Sequence, residues 1–84
     1  MDNEEQAKKY CLALFGEGLR TLRLSAGFSQ EVLAERAGID RSYLGAIERG
    51  EHNLALINIV KIANALDIPP HKMLEIFSKS TGKK

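Results

Sequence analysis

The side chains best suited to nucleophilic attack, proton transfer or metal binding in this sequence are Cys11, Ser42, His52 and His71. Their surroundings argue against all three chemistries. Ser42 has no histidine and acid in a context that would activate it, so it reads as a polar residue at a helix start. His52 and His71 are separated by a whole helix-length segment and lack a cysteine or carboxylate cluster with ligand spacing, so no metal is expected. Cys11 is the single cysteine; it cannot form an internal bridge, it fits a reducing compartment, and it is expected to be a small buried hydrophobe. No cofactor or small-molecule ligand is indicated, and an enzyme is the weakest reading. Polar side chains able to make directional hydrogen bonds are instead adjacent at Arg41-Ser42-Tyr43.

Positioning these residues falls to helices, because no stretch shows the sustained alternation of Val, Ile, Thr and aromatics that a strand needs. A first helix is expected from about Glu4 to Ser25, with Ala7, Tyr10, Cys11, Leu14, Phe15, Leu19 and Leu22 recurring at three and four residues. Gly16 and Gly18 weaken its middle by about 0.5–1 kcal/mol each against alanine, which marks either a break or a close helix contact. Ser29 suits the N-cap of a second helix, Gln30 to Ala37, whose Leu33, Ala34 and Ala37 share a face before Gly38 ends it. Asp40 then caps a third helix, Arg41 to Arg49, with Leu44 and Ile47 inward and Gly50 as the stop. A fourth, Leu56 to Leu66, carries Leu56, Ile59, Val60, Ala63 and Leu66. Pro69-Pro70 suits the entrance to a fifth, His71 to Ser78, with Met73, Leu74, Ile76 and Phe77 as its apolar residues. The polar tail, Lys79 to Lys84, is expected to fray.

Two short helices joined by a tight turn containing Gly38 are the arrangement that places a second helix in a DNA major groove. Ala34 is small where the two must approach, and Ile39, Leu44 and Ile47 tie the unit, residues 30–49, to the rest of the core. The string SQEVLAERAGIDRSYLGAIERG resembles the Cro/Xre helix-turn-helix family, which includes lambdoid phage repressors and the controller proteins of restriction-modification systems. The resemblance runs from about Phe15 to Phe77, including Ala63-Asn64-Ala65-Leu66. It implies an all-α, compact, five-helix lambda-repressor-like DNA-binding domain. Glu48-Arg49-Gly50-Glu51 followed by Asn53-Leu54-Ala55-Leu56 is most similar to the controller-protein branch; most other members carry proline where Leu54 stands.

Residue roles carried over by position follow from that resemblance. Arg41, Ser42 and Tyr43 match positions that face base edges, and Arg41 has the fork for paired hydrogen bonds to guanine O6 and N7. Tyr43 either offers its ring to a thymine methyl and its hydroxyl to a phosphate, or packs over a neighbouring turn. Ala46 matches a base-reading position that is often polar in the family and here offers only an apolar contact. Phosphate contacts are expected from the Gln30 backbone N–H and from Arg49, His52 and Asn53. Arg23 and Glu48 match a family pair that bridges the first and third helices.

One domain, residues 1–84, is all this length supports, since a single core at this size buries only roughly 60% of what the unfolded chain exposes. The composition, 44% hydrophobic and 27% charged with two prolines, belongs to a folded helical domain rather than a disordered chain. No apolar run spans a bilayer and the acidic start is unlike a signal peptide, so a cytoplasmic protein with no membrane partner is expected. Net charge is +1, and from Ser29 to Asn53 three arginines meet five acids. Affinity for DNA must therefore come from placed contacts and from dimerisation. Lys8, Lys9, Lys79, Lys83 and Lys84 read as solvating charge. Helices over residues 56–78 are expected to form a homodimer face through Ile68, Met73, Leu74, Ile76 and Phe77, unless the last helix is tucked into the monomer core. The leading expectation is a homodimeric, sequence-specific transcriptional regulator reading a palindromic double-stranded DNA operator, with control of a restriction-modification locus as its most specific role. An antitoxin-like protein-interaction module with secondary DNA binding is the alternative.

Overall fold

The computed structural model describes residues 3–81 and contains five α-helices: α1 (Asn3–Ser25), α2 (Gln30–Ala37), α3 (Arg41–Glu48), α4 (Leu56–Leu66) and α5 (Glu75–Thr81). Met1, Asp2, Gly82, Lys83 and Lys84 lie outside the described residues. No strand occurs among the described residues, so the all-α expectation holds. The fifth segment differs in detail. It begins as a 3-10 turn, Pro70–Leu74, and becomes α-helical only at Glu75. Pro69 sits at the cap and accepts from the Lys72 N–H at 3.0 Å, a three-residue bond that suits a proline-led turn. The helix then continues past Ser78 to Thr81, into the stretch expected to fray.

Four helices end in the same way, which explains why the turns were readable. After α2, Gly38 (φ 71°) gives its N–H to Glu35 O at 3.2 Å and Ile39 gives its own to Ala34 O at 3.0 Å. This paired closure satisfies the last carbonyls and needs a left-handed residue at its pivot. Gly27 and Gly50 are the pivots after α1 and α3, and Asp67, at φ 59°, takes the same role after α4 without being glycine. At the other end of α2, the Ser29 hydroxyl accepts from the Val32 N–H at 3.1 Å. Asp40 occupies the N-cap of α3 but makes no side-chain cap bond; its carboxylate is engaged by the Ser42 hydroxyl instead, at 3.1 Å.

The core draws Phe15 and Leu19 from α1, Leu33, Ala34 and Ala37 from α2, Leu44 and Ile47 from α3, Ile62, Ala63 and Leu66 from α4, and Met73 from the 3-10 turn. Gly16 lets α1 cross α3 closely: a Cβ there would lie 2.5 Å from the carbonyl oxygens of both Ile47 and Glu48. Its role is therefore close contact, and α1 runs unbroken through it for 23 residues. At 1.5 Å per residue such a helix is about 34 Å long, nearly the 37 Å longest extent of the molecule. Its first half overhangs the core.

That overhang corrects two expectations. Tyr10 is 62% exposed and Cys11 is exposed, because every described residue from Asn3 to Cys11 lies beyond the helices that α1 packs on. A similar overhang affects α4. Its stripe Ile59, Ile62, Ala63 and Leu66 is applied to the core, whereas Leu56, one turn earlier, is 76% exposed. Met73 is also corrected: at 2% exposure it fills the monomer core and offers nothing to a second copy. Ile76 is half-buried with its Cβ 3.1 Å from where a side chain on Gly18 would begin. Ile68 and Phe77 are half-buried against the core, which leaves Leu74, 47% exposed, as the most open of that set.

Candidate nucleic-acid interface

The α2–turn–α3 unit is fixed to α1 by a buried polar network. Arg23 Nε donates to Glu48 Oε2 at 2.7 Å, its Nη2 donates to Glu48 Oε1 at 2.9 Å, and its Nη1 donates to the Phe28 carbonyl at 2.9 Å. Gln30 Nε2 donates to Glu48 Oε1 at 3.0 Å. One carboxylate thus joins α1, α2 and α3, with the ion-pair side chains only 8% and 3% exposed. The hydrogen bonds to Glu48, helped by its charge and opposed by burial, raise the Arg23 pKa above its ordinary value. A buried pair of this kind adds little over a packed apolar one, but removing one partner strands a charge at about 3–5 kcal/mol.

The network holds α3 with its N-terminal residues outward. Arg41 is exposed and, among the described residues, its side chain makes no hydrogen bond or ion pair. Ser42 is exposed with its hydroxyl on Asp40. Tyr43 is half-buried; its ring meets His52 edge-on, with centroids 5.4 Å apart at 64°, and its hydroxyl accepts from Asn58 Nδ2 at 3.1 Å. Ala46 is 8% exposed, which leaves little of its methyl for any partner.

Flanking residues are more occupied than their sequence neighbours suggest. The Gln30 side chain is taken by Glu48, so its contribution at the start of α2 is its backbone N–H, which has no partner within the helix. Arg49 forms a two-bond fork with Glu51: Nε to Oε2 and Nη2 to Oε1, each at 3.1 Å. Both side chains are well exposed, at 60% and 57%. The hydrogen bonds hold the Glu51 carboxyl below its usual pKa and raise that of Arg49. Gly45 makes room for this arrangement: a Cβ there would come within 3.2 Å of Arg49 Nη1 and 3.5 Å of Gln30 Oε1. Asn53 is exposed beside the first turns of α1, where Glu5, Lys8 and Leu12 line a shallow concavity. His71 lies in the 3-10 turn, far along the chain from this cluster. No group of three or more His, Cys, Asp or Glu side chains converges on a metal position among the described residues.

Sequence reasoning missed Gln30–Glu48, Arg49–Glu51 and Tyr43–Asn58. The first and third join different helices, and no local pattern announces them. Only the second had a local signal, an arginine two residues before a glutamate.

An exposed helix start held by a neighbouring short helix is the helix-turn-helix arrangement, and the chain belongs to the helix-turn-helix family, which matches over residues 19–73. It is similar to the restriction-modification controller protein C.AhdI from Aeromonas hydrophila, with 52% identity over 76% of this chain and 97% of that one, and a TM-score of 0.75. Control protein C.BamHI of Bacillus amyloliquefaciens is 44% identical over 63 residues, 74% of this chain and 78% of the relative. The crystal structure of a hypothetical transcription factor from Neisseria is also similar, at 42% identity and a TM-score of 0.70, covering 74% of this chain and 71% of that one.

Proposed function

We propose that this chain is a homodimeric, sequence-specific DNA-binding transcriptional regulator that inserts the N-terminal end of α3 into the major groove, and that it controls a restriction-modification locus. The observation that carries this reading is Arg41, exposed and unengaged at the start of a helix whose orientation is set by the Arg23–Glu48–Gln30 network. An arginine so placed suits the paired acceptors of guanine. Similarity to controller proteins supports the locus.

In this reading Ser42 and Tyr43 add contacts beside Arg41, and the Gln30 backbone N–H, Arg49, His52 and Asn53 meet phosphates. Phosphate contacts set register and the base contacts choose the sequence. No described helix is long and apolar enough to cross a membrane, and the proposed DNA-bound role supports a cytoplasmic chain. No chemical step is assigned to it. Net charge of +1 gives little general attraction to DNA, so two linked subunits supply the affinity, each reading a half-site about one helical turn from the other.

The second copy is proposed to dock on apolar residues left outside the core. Leu56 and Ile57, 76% and 65% exposed, open α4 and are the most exposed large hydrophobics among the described residues; Leu74, 47% exposed, adds a smaller patch. Selection of bound duplexes from random-sequence DNA tests the function: two symmetric half-sites are expected, and failure to enrich any sequence would overturn the reading.

A further inference from the structure

Asn58 lies in the first turn of α4, outside every contact set assigned to DNA above, yet its side chain reaches back to the reading helix. Its Nδ2 donates to the Tyr43 hydroxyl oxygen at 3.1 Å, joining residues 15 apart in the chain. The Tyr43 ring is held on another side by His52 and rests against the core. A tyrosine on a helix surface otherwise turns about two side-chain torsions; held at its ring and at its hydroxyl, this one has a defined direction.

The direction carries chemistry. A phenol oxygen has one O–H to donate and two lone pairs to accept with. Accepting from Asn58 uses a lone pair and turns the O–H away from the amide. The hydroxyl then offers a donor to an incoming acceptor, which on DNA is a phosphate oxygen or a base acceptor such as guanine O6 or thymine O4.

We propose that Asn58 is a positioning residue for DNA recognition, holding the Tyr43 hydroxyl so that its proton faces an acceptor atom on the DNA. This rests on the DNA-reading function proposed above. It also links α4, whose exposed Leu56 and Ile57 immediately precede Asn58, to the reading face of α3.

A double-mutant cycle on the full chain tests it, using a duplex selected by the wild-type chain from random DNA and a random-sequence duplex of equal length. Asn58→Ala is expected to weaken binding to the selected duplex roughly 3- to 10-fold, the range of one hydrogen bond, and to add nothing in the Tyr43→Phe background. Equal loss on both duplexes assigns the hydroxyl to phosphate, and loss confined to the selected duplex assigns it to a base. Asn58→Asp keeps the side-chain size but can only accept, so it draws the Tyr43 proton toward itself; its loss must also shrink when the hydroxyl is absent. Equal losses with and without the Tyr43 hydroxyl, or no loss at all, overturn the role of Asn58. A wild-type chain that enriches no duplex overturns the DNA-reading function, and this role with it.

Discussion

Arg49 meets any phosphate with its guanidinium already engaged by Glu51. The fork is exposed on both sides, so its contribution to stability is small, but its effect on DNA binding differs in kind. Glu51 returns a negative charge to the place where the proposed phosphate contact needs a cation. Because its folded carboxyl titrates below the unfolded value, the pairing is present above the unfolded pKa and is lost only as pH falls through the lowered one. At neutral pH the fork is closed. Glu51→Gln is therefore expected to strengthen binding to random duplexes and to steepen the logarithmic salt dependence by roughly one, the slope of a single added phosphate contact. An unchanged slope would show that Arg49 does not reach a phosphate. At this scale the sequence displayed which polar residues were available. Whether each stood free was hidden, because Glu48, Glu51 and Asn58 claim Gln30, Arg49 and Tyr43 only after folding.

Helices carried most of what could be read in advance, and the reason is local. A serine at an N-cap and a left-handed residue after the last turn act within five residues of themselves, so Ser29, Gly38 and Gly50 marked α2 and α3 closely. Burial is not local, and there the reading failed in particular places. Tyr10, Cys11 and Leu56 have helical spacing appropriate to a core but project past the end of it, whereas Ile62, 0% exposed, lies at its centre. Gly16 shows the opposite case, in which a glycine weakens its own helix so that another can approach. Gly16→Ala forces a methyl against the carbonyls of Ile47 and Glu48 and is expected to destabilise the fold by about 1–3 kcal/mol or more, as overpacking does. It would also displace α3, the element that presents Arg41. Denaturant unfolding measures this, and a neutral result would mean that the α1–α3 contact is looser than 2.5 Å implies.

The chain is nearly neutral, and its described residues form one long helix and four short ones around a single shared core. Such a body presents one short reading helix, which argues for action in pairs. Because Met73 is buried and Ile76 lies against α1, the face expected on the last helix is largely used within the monomer. Leu56→Asp combined with Ile57→Asp removes apolar surface that the core does not use. The double variant is expected to fold and to sediment as a monomer, and a persistent dimer would move the contact to Leu74.

Arg41 is proposed to read a base from a helix held in place by Arg23, Glu48 and Gln30. Its most direct test is selection from random duplex DNA, run in parallel with the wild-type chain and Arg41→Ala. The wild-type chain should enrich a symmetric sequence with guanine at a fixed position in each half. The variant should lose that preference alone, with affinity for the wild-type sequence falling by about 1–3 kcal/mol. Uniform weakening across all sequences, with the guanine preference intact, would instead assign Arg41 to the phosphate backbone and overturn its base-reading role.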